Sequence, residues 1–548
     1  MAGLAAIQYV PETYDLGAGK MMGRRVAGVS FLEAWIRHSG ADPITGYTTT
    51  DLRREAFAAH VRTLSPAATI ASAQPADTSA LVAAGALWIG DPGLARLAWN
   101  RRWHRQADWS LVGVTHTLSS HAAMEAVTDL LRAPVQPWDA LICTSHAARR
   151  MVETLLQSEV EYLQTRLGAT RFTAPLLPVI PLGVDCASLA ARPADRAAWR
   201  AELGLGPEDV AVLQFGRIAH HAKAHPIPLY RALAEAGRRI GTRLHLIQAG
   251  QFVNAAQEAQ YCALAEQLAD KVTTHFVDGA RPDAGGVRAA ADIGTLMSDN
   301  IQETFGLAPV ELMSAGLPVV ATDWDGLRDT VAHGETGFRV DTQMPPPGAG
   351  AALAWRYVNV EDMDMFIAGA AQSTAFDIGQ AADAFEALAR DPALRARMGA
   401  AARERAEATY DWPHVIGAYR ALLDELSAIR SEAGRESAPR RGMSPANPAW
   451  PDPFTAFAGF ATAPIEETAR IAIAPDAERV GATEGGPGMS FLNPAVLPPA
   501  ERMEAILAAI RAEPQSLVSL VPLFPDLDAA QLVRAMGWLL KFGFAVRT

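Results

Sequence analysis

The chain reads as an α/β protein made of two doubly wound parallel sheets in tandem, followed by a C-terminal extension. Two observations predict this. Short apolar runs alternate with longer helical patterns along most of the chain, the signature of parallel layers. The series also restarts midway, after a stretch at 184–208 rich in Ala, Arg and Asp that reads as the crossing linker. Length agrees, because 548 residues exceed what a single hydrophobic core serves. Ligands in such folds sit at the carboxyl ends of strands, so chemistry is to be sought in strand-to-helix turns facing a cleft.

In the first series the predicted strands are 5–10, 86–90, 110–116 and 139–144, with a further run at 176–183 that ends in turn residues. The second series gives 210–215, 243–249, 272–277, 293–297 and 318–322. Helical sequence fills 380–430 and ends with Trp412, Tyr419, Leu422 and Leu423. Between Pro439 and Pro499 stand 11 of the chain's 36 prolines, so that stretch reads as a linker or wrapping arm with few regular elements. Structure then resumes with a helix at 501–512 and an apolar element near 517–524. A helix N-capped by Asp528 follows, with Leu532, Val533, Met536, Leu539 and Leu540 as its apolar face, and a strand closes the chain after Phe542. Helix, helix, helix, strand resembles a winged-helix module. Residues 501–548 carry five acidic and five basic side chains, which favours protein docking over duplex binding. The expected domains are 1–190, 191–430, 431–499 and 500–548.

Net charge is 48 − 60 = −12. Residues 1–190 hold 16 acidic and 16 basic side chains, so the acidic excess lies beyond them. A nucleic-acid partner needs a basic footprint, and this balance argues against one. No stretch approaches the ~20 uninterrupted apolar residues of a membrane span. The N-terminal segment has no basic region ahead of its apolar run, so no secretory leader is expected. Cys143, Cys186 and Cys262 are odd in number and far apart, which excludes a disulfide framework and a zinc ribbon. The expected location is the cytoplasm, with at most peripheral contact at the inner face of the membrane.

The most informative stretch runs from Asp299 to Val340. Pro309 pre-sets φ for a first helical turn, Gly316 is a helix stop and Pro318 opens the next strand. A helix therefore begins near Gly306 with free N–H groups pointing into the cleft, a ready anion site that a glycine lets a ligand approach closely. Glu303 stands just before that helix and Glu311 within it. Two carboxylates beside an anion site suit a ligand that offers hydroxyls around a diphosphate, and a nucleotide sugar is such a ligand.

Here the sequence resembles a GT-B-fold, retaining glycosyltransferase of family 4. The run Gln302-Glu-Thr-Phe-Gly-Leu-Ala-Pro-Val-Glu-Leu-Met-Ser-Ala-Gly-Leu-Pro-Val-Val-Ala321 contains the family's Glu-x7-Glu pair as Glu303 and Glu311. The resemblance spans roughly residues 5–430 and gives no account of the tail. It implies two Rossmann-like domains, an acceptor side and a donor side. It further implies that Glu303 binds donor-sugar hydroxyls and Glu311 the ribose hydroxyls, with Thr304 and the N–H groups of Phe305, Gly306 and Leu307 facing sugar and phosphates. Arg217 and Lys223 match the family's phosphate-binding pair, where charge grows as the glycosidic bond breaks. Lys20-Met-Met-Gly23-Arg24-Arg25-Val-Ala-Gly28 resembles the glycine-rich loop over the donor phosphate, with Gly23 and Arg24 as contacts. His116, in Val114-Thr-His-Thr-Leu-Ser-Ser120, matches the family's active-site histidine. Val277 completes the implied donor set. The implied activity is retaining, metal-independent glycosyl transfer from a nucleotide-diphosphate sugar, UDP- or GDP-linked, with no cofactor. The acceptor classes are a glycan, a lipid-linked sugar, a protein or a metabolite. A phosphorylase on the same scaffold and a non-catalytic scaffold subunit are the alternatives.

Three further patterns stand out. Asp323-Trp-Asp325 looks like a metal-binding Asp-x-Asp, but Asp325-Gly326-Leu-Arg-Asp329 occupies the place of the family's Gly-Gly-x-x-Glu, so it reads as a loop variant without a metal. His220, His221 and His225 have no evident further ligand. Trp99, Trp103 and Trp109 interleave with Arg101, Arg102, His104 and Arg105. That cluster reads either as a surface for sugar, an anionic acceptor or lipid, or as a packed helix with a solvated basic face.

Overall fold

A computed structural model describes residues 4–14, 23–40, 42–433, 447–475, 477 and 496–548. The chain divides into two units, Met1–Asn447 and Pro448–Thr548. In the first unit, β1 (Ala6–Gln8), β2 (Ile44–Tyr47), β3 (Ile70–Ala73), β4 (Ala86–Trp88), β5 (Ser110–Val114) and β6 (Ala140–Ile142) form one sheet. Its order is β3-β2-β1-β4-β5-β6 and every pairing is parallel. A second sheet contains β7 (Val210–Phe215), β8 (Leu244–Gly250), β9 (Val272–Asp278), β10 (Ile293–Leu296), β11 (Val319–Thr322) and β12 (Gly337–Val340). It runs β12-β11-β10-β7-β8-β9, again parallel throughout. The two sheets share one winding, and they are the two doubly wound parallel sheets in tandem that the sequence predicts. Helices cover both faces of each sheet, so β5 and β11 are buried along their whole length. Strand order reverses between β1 and β4 and between β7 and β10, and those reversals open the crevices where ligands bind.

The run 176–183 does not form a strand. It follows β6 with isolated bridges at Ala140–Leu176 and Cys143–Val179, because Pro178 and Pro181 have no N–H to donate. Between the series, helix Pro193–Glu202 belongs to the second sheet: Arg196 Nη2 meets Asp292 at 2.7 Å and Arg200 Nη1 meets it at 3.1 Å. The long helix Trp412–Glu432 returns to the first sheet. Its Trp412, Val415, Ile416, Tyr419, Leu422, Leu423 and Leu426 share one buried cluster with Phe31, Leu32, Trp35 and Trp88. Trp412 Nε1 donates to Ser30 Oγ at 2.9 Å, and Arg420 Nη1 meets Asp42 at 2.9 Å.

The Trp–Arg cluster resolves mostly into packing. Arg101 and Asp139 are each 0% exposed and paired at 2.7 Å, and Trp109 is buried in the same core. Arg101 is therefore not available to an anionic acceptor. Trp103 remains outside, at 65% exposed.

β13 (Thr342–Gln343) and β14 (Ala375–Phe376) pair antiparallel and bracket helices Ala351–Asn359 and Met363–Ala371. Tyr357 from the first of these accepts a hydrogen bond from the His121 N–H at 3.0 Å, and its ring lies tilted against the His121 ring with centroids 3.6 Å apart, joining the two lobes. In the second unit, helices Ala500–Ala512, Leu517–Leu520 and Ala529–Lys541 precede a closing strand, the predicted order. Asp528 Oδ1 caps the last helix by accepting the Gln531 N–H at 2.7 Å. The strand's partner comes from inside the proline-rich stretch: β15 (Ile471–Ile473) pairs antiparallel with β16 (Ala545–Arg547). No helix among the described residues is long and apolar enough to cross a membrane.

Candidate active site

The reversal in the second sheet is where the predicted cations and carboxylate meet. After β7 the chain turns through Arg217–Lys223, with the Lys223 N–H donating to Ala219 O at 2.9 Å. Ala219 and Ala222 are buried and pack with Ile367 of helix Met363–Ala371. With its small residues held down, the turn presents Arg217 and Lys223. Arg217 is exposed and Nη2 donates to Gln302 Oε1 at 3.2 Å. Lys223 Nζ pairs with Glu303 Oε2 at 2.9 Å.

Three consecutive side chains beyond β10 lash this turn in place. Ser298 Oγ donates to Lys223 O at 3.1 Å, Asn300 Nδ2 donates to His221 O at 2.7 Å, and Asp299 Oδ2 accepts the His225 N–H at 3.2 Å. None of the three is among the site residues that the sequence predicts. The signal available for them was a polar Ser-Asp-Asn run directly behind an apolar strand.

Helix Leu307–Ser314 starts where predicted. Gly306 is its N-cap at φ +87°, and a Cβ there would stand 2.5 Å from Leu327 Cδ2. The helix stops in a paired turn: Gly316 N–H donates to Met313 O at 2.9 Å and Leu317 N–H to Leu312 O at 3.1 Å. Burial pushes the Glu303 carboxyl up, but Lys223 and the N–H groups of Gly306 and Thr304 outweigh it and hold the group below its ordinary range. Glu303 is thus an anion, fit to accept hydrogen bonds. Glu311, further along the helix, faces Arg288 at 3.8 Å. Burial dominates there and raises Glu311, with Arg288 offsetting part of the shift.

The first lobe reaches the same point. Thr304 Oγ1 donates to His116 O at 2.5 Å, and Thr144 Oγ1 donates to Thr304 O at 3.4 Å. His116 and Thr144 follow β5 and β6, so the carboxyl ends of both sheets converge on Thr304. His146 N–H also donates to Asp329 Oδ2 across the lobes at 2.7 Å. His116, Arg217, Lys223, Glu303, Thr304, Gly306 and Leu307 are therefore gathered in one region. The Phe305 side chain turns away into the core against Tyr410. Val277 likewise packs into the core of the second lobe at the end of β9. Gly23 and Arg24 open helix Gly23–Arg37 after β1; Lys20, Met21 and Met22 of the same loop lie outside the described residues.

Neither the histidine group nor the Asp-Trp-Asp run forms a metal site. His220 stands 5.8 Å from His225 and 5.5 Å from His221, centroid to centroid. Burial holds His220 and His225 below the ordinary histidine range. Asp323 is taken up by Arg328 at 3.3 Å and Arg339 at 3.2 Å. Among the described residues no group of His, Cys, Asp or Glu is arranged to hold a metal ion.

Burial pushes Asp299 up to about 7, with the His225 N–H offsetting part of the shift. In the unfolded chain the same carboxyl ionises near ~4. Between those values the unfolded chain has lost a proton that the folded chain keeps. Asp299 therefore lowers stability progressively as pH rises from about 4 to about 7, and the loss is complete above that. The expected outcome is that Asp299→Asn melts above wild type at pH 8 and level with it at pH 4. Thermal melts across that range check this, and a variant that melts no higher at pH 8 contradicts it.

Residues 195–349 match the family described as glycosyl transferases group 1. A D-inositol 3-phosphate glycosyltransferase of Pseudarthrobacter chlorophenolicus is 31% identical over 261 residues, which is 48% of this chain and 52% of the relative. One from Segniliparus rotundus is 35% identical over 241 residues, 43% and 51% of the two chains. The chain thus spans about half the length of the curated relatives it matches. The solved Anabaena HepE in complex with UDP is 18% identical, with a TM-score of 0.48, over 78% of this chain and 100% of that one.

Proposed function

We propose that this chain, whose residues 195–349 belong to the glycosyl transferases group 1 family, moves a sugar from a nucleoside-diphosphate donor to an acceptor hydroxyl with retention of configuration. One observation carries the reading: Lys223 and Glu303, paired at 2.9 Å, stand with Arg217 before the N-terminus of helix Leu307–Ser314 at the reversal of a parallel sheet. The diphosphate would lie against Arg217, Lys223 and the helix N–H groups, where positive charge offsets what builds up as the bond to the anomeric carbon breaks. Glu303 would accept hydrogen bonds from sugar hydroxyls. The acceptor oxygen bonds to the anomeric carbon on the face the diphosphate leaves, and its proton passes to a departing phosphate oxygen. No metal takes part in this reading. The free Cys143, Cys186 and Cys262 favour a reducing compartment, and we assign the chain to the cytoplasm.

The similarity to D-inositol 3-phosphate glycosyltransferases covers about half of each relative, so that acceptor enters as one to be tried among glycan, lipid-linked and protein acceptors. The test is release of nucleoside diphosphate from UDP- and GDP-sugars by the full chain with such an acceptor panel. Turnover is expected, and Arg217→Ala is expected to lower it by about 10²-fold with an unchanged melting temperature, because Arg217 is exposed and touches only Gln302 among the contacts described. Formation of sugar 1-phosphate from inorganic phosphate in place of transfer, or full turnover in Arg217→Ala, overturns the reading.

A further inference from the structure

The turn after β11 carries a residue that the reading above does not use. Asp325 has φ +48°, the one non-glycine residue with positive φ among the described residues. Left-handed backbone strains any side chain other than glycine, and asparagine and aspartate least of the others. The turn lies flat on the backbone of the Glu303 segment. A Cβ on Gly326 would stand 2.5 Å from Phe305 Cα and 2.7 Å from Thr304 O, so the two backbones touch. Trp324 locks this contact, with Nε1 donating to Asn300 O at 3.1 Å.

Asp325 is thereby held beside Glu303. The Gly326 N–H serves its carboxyl, but Oδ2 is buried and has no hydrogen-bond partner. Burial raises this carboxyl well above the ordinary range, and the negative Glu303 raises it further. A purely structural turn residue would be expected to avoid all three conditions: glycine would relieve the backbone, and no oxygen would be left unpaired beside a second carboxylate. Asp323 and Asp329, in the same turn, do have partners. The unpaired oxygen therefore points to a hydrogen-bonding group that arrives with a ligand, at the place where the donor sugar lies if the chain transfers glycosyl groups.

Resting on that reading, we propose that Asp325 determines donor specificity: its Oδ2 hydrogen-bonds a hydroxyl of the donor sugar, so that Glu303 and Asp325 grip one ring together. A site built to bond a hydroxyl discriminates strongly, because without that hydroxyl its polar group stays unpaired. The nucleoside diphosphate itself makes no contact with Asp325.

The experiment measures binding of UDP, GDP, UDP-glucose, UDP-N-acetylglucosamine and GDP-mannose to the full chain by calorimetry, for wild type, Asp325→Gly and Asp325→Asn. The sugar nucleotide that wild type binds best is expected to bind tenfold or more weakly to Asp325→Gly, while its parent diphosphate binds within twofold of wild type. Asp325→Gly should melt at or above the wild-type temperature, since glycine is at ease at φ +48°. Asp325→Asn, which tolerates the same backbone, should also lose sugar-nucleotide affinity and keep the diphosphate. An unchanged ratio of sugar nucleotide to diphosphate affinity in both variants overturns the proposal. So does an equal loss of both ligands, which is the mark of a structural role. A wild type that binds none of the five ligands overturns glycosyl transfer itself and this inference with it.

Discussion

Glu303→Gln is expected to lower sugar transfer by about 10³-fold while the fold persists. Glutamine keeps the shape of the side chain but replaces one oxygen by an N–H₂ group. The oxygen of Glu303 that faces Lys223 at 2.9 Å, and those served by the N–H groups of Gly306 and Thr304, are all acceptors. An amide cannot accept at both ends, so a donor would be turned on a donor. Lys223 would lose the anion that aims it at the proposed phosphate position, and the sugar hydroxyls would lose a charged acceptor. Charge-assisted hydrogen bonds are roughly twice as strong as neutral ones, and both losses fall in the transition state. Only 13% of the Glu303 side chain is exposed, so water does little to replace it. Steady-state kcat/KM with the donor found by screening, read beside a thermal melt, checks this. A rate within tenfold of wild type would remove Glu303 from the chemistry. Because its carboxyl is held low, the stability Glu303 contributes is present above the ordinary carboxylate range and lost as pH falls.

Asp139→Ala is expected to cost about 3–5 kcal/mol of unfolding free energy. Each Asp139 oxygen accepts two hydrogen bonds: Oδ1 from Arg101 Nη1 at 2.7 Å and the Leu111 N–H at 2.8 Å, Oδ2 from Arg101 Nη2 at 2.7 Å and the Gln136 N–H at 2.8 Å. Arg101 is further fixed by Trp109 O at 2.8 Å and Gln106 Oε1 at 3.1 Å. Alanine would leave a guanidinium and two backbone N–H groups buried without an anion. Replacing both partners together with leucine removes the stranded charge, so the double variant should lose less than Asp139→Ala alone. Urea unfolding of the three proteins decides it. A loss under ~1 kcal/mol for Asp139→Ala would mean that water reaches the pair.

Much of this architecture can be read from local patterns. The second series of apolar runs maps onto β7, β8, β9, β10 and β11: β7, β10 and β11 are covered on both faces and leave nearly unbroken hydrophobic stretches, whereas β9 lies at the sheet edge and shows itself by its β-branched and aromatic residues. Gly306, Pro309 and Gly316 mark the ends of the helix on which the proposed site depends. β2, β3 and β12 escape such reading: Ile-Thr-Gly-Tyr, Ile-Ala-Ser-Ala and Gly-Phe-Arg-Val are short and interrupted by small or charged residues. Arg101 escapes for another reason. Beside Trp99 and Trp103 it looks like surface, and only the fold brings Asp139, 38 residues on, against it. Asp299 and Asn300 likewise act on His225 and His221 from 74 and 79 residues away. A polar side chain that braces a distant loop leaves no periodicity behind.

The return of helix Trp412–Glu432 to the first sheet has a consequence for how the chain is born. Phe31, Trp35 and Trp88 are synthesised early, yet the surface that covers them is translated some 240 residues after position 190. At about 5–20 residues per second that interval is roughly 12–50 seconds, long against the folding time of a domain. For that time the nascent first lobe leaves the ribosome with an aromatic face uncovered. It is a natural substrate for chaperones that bind emerging chains, and a stall between 190 and 411 would release a fragment prone to aggregate.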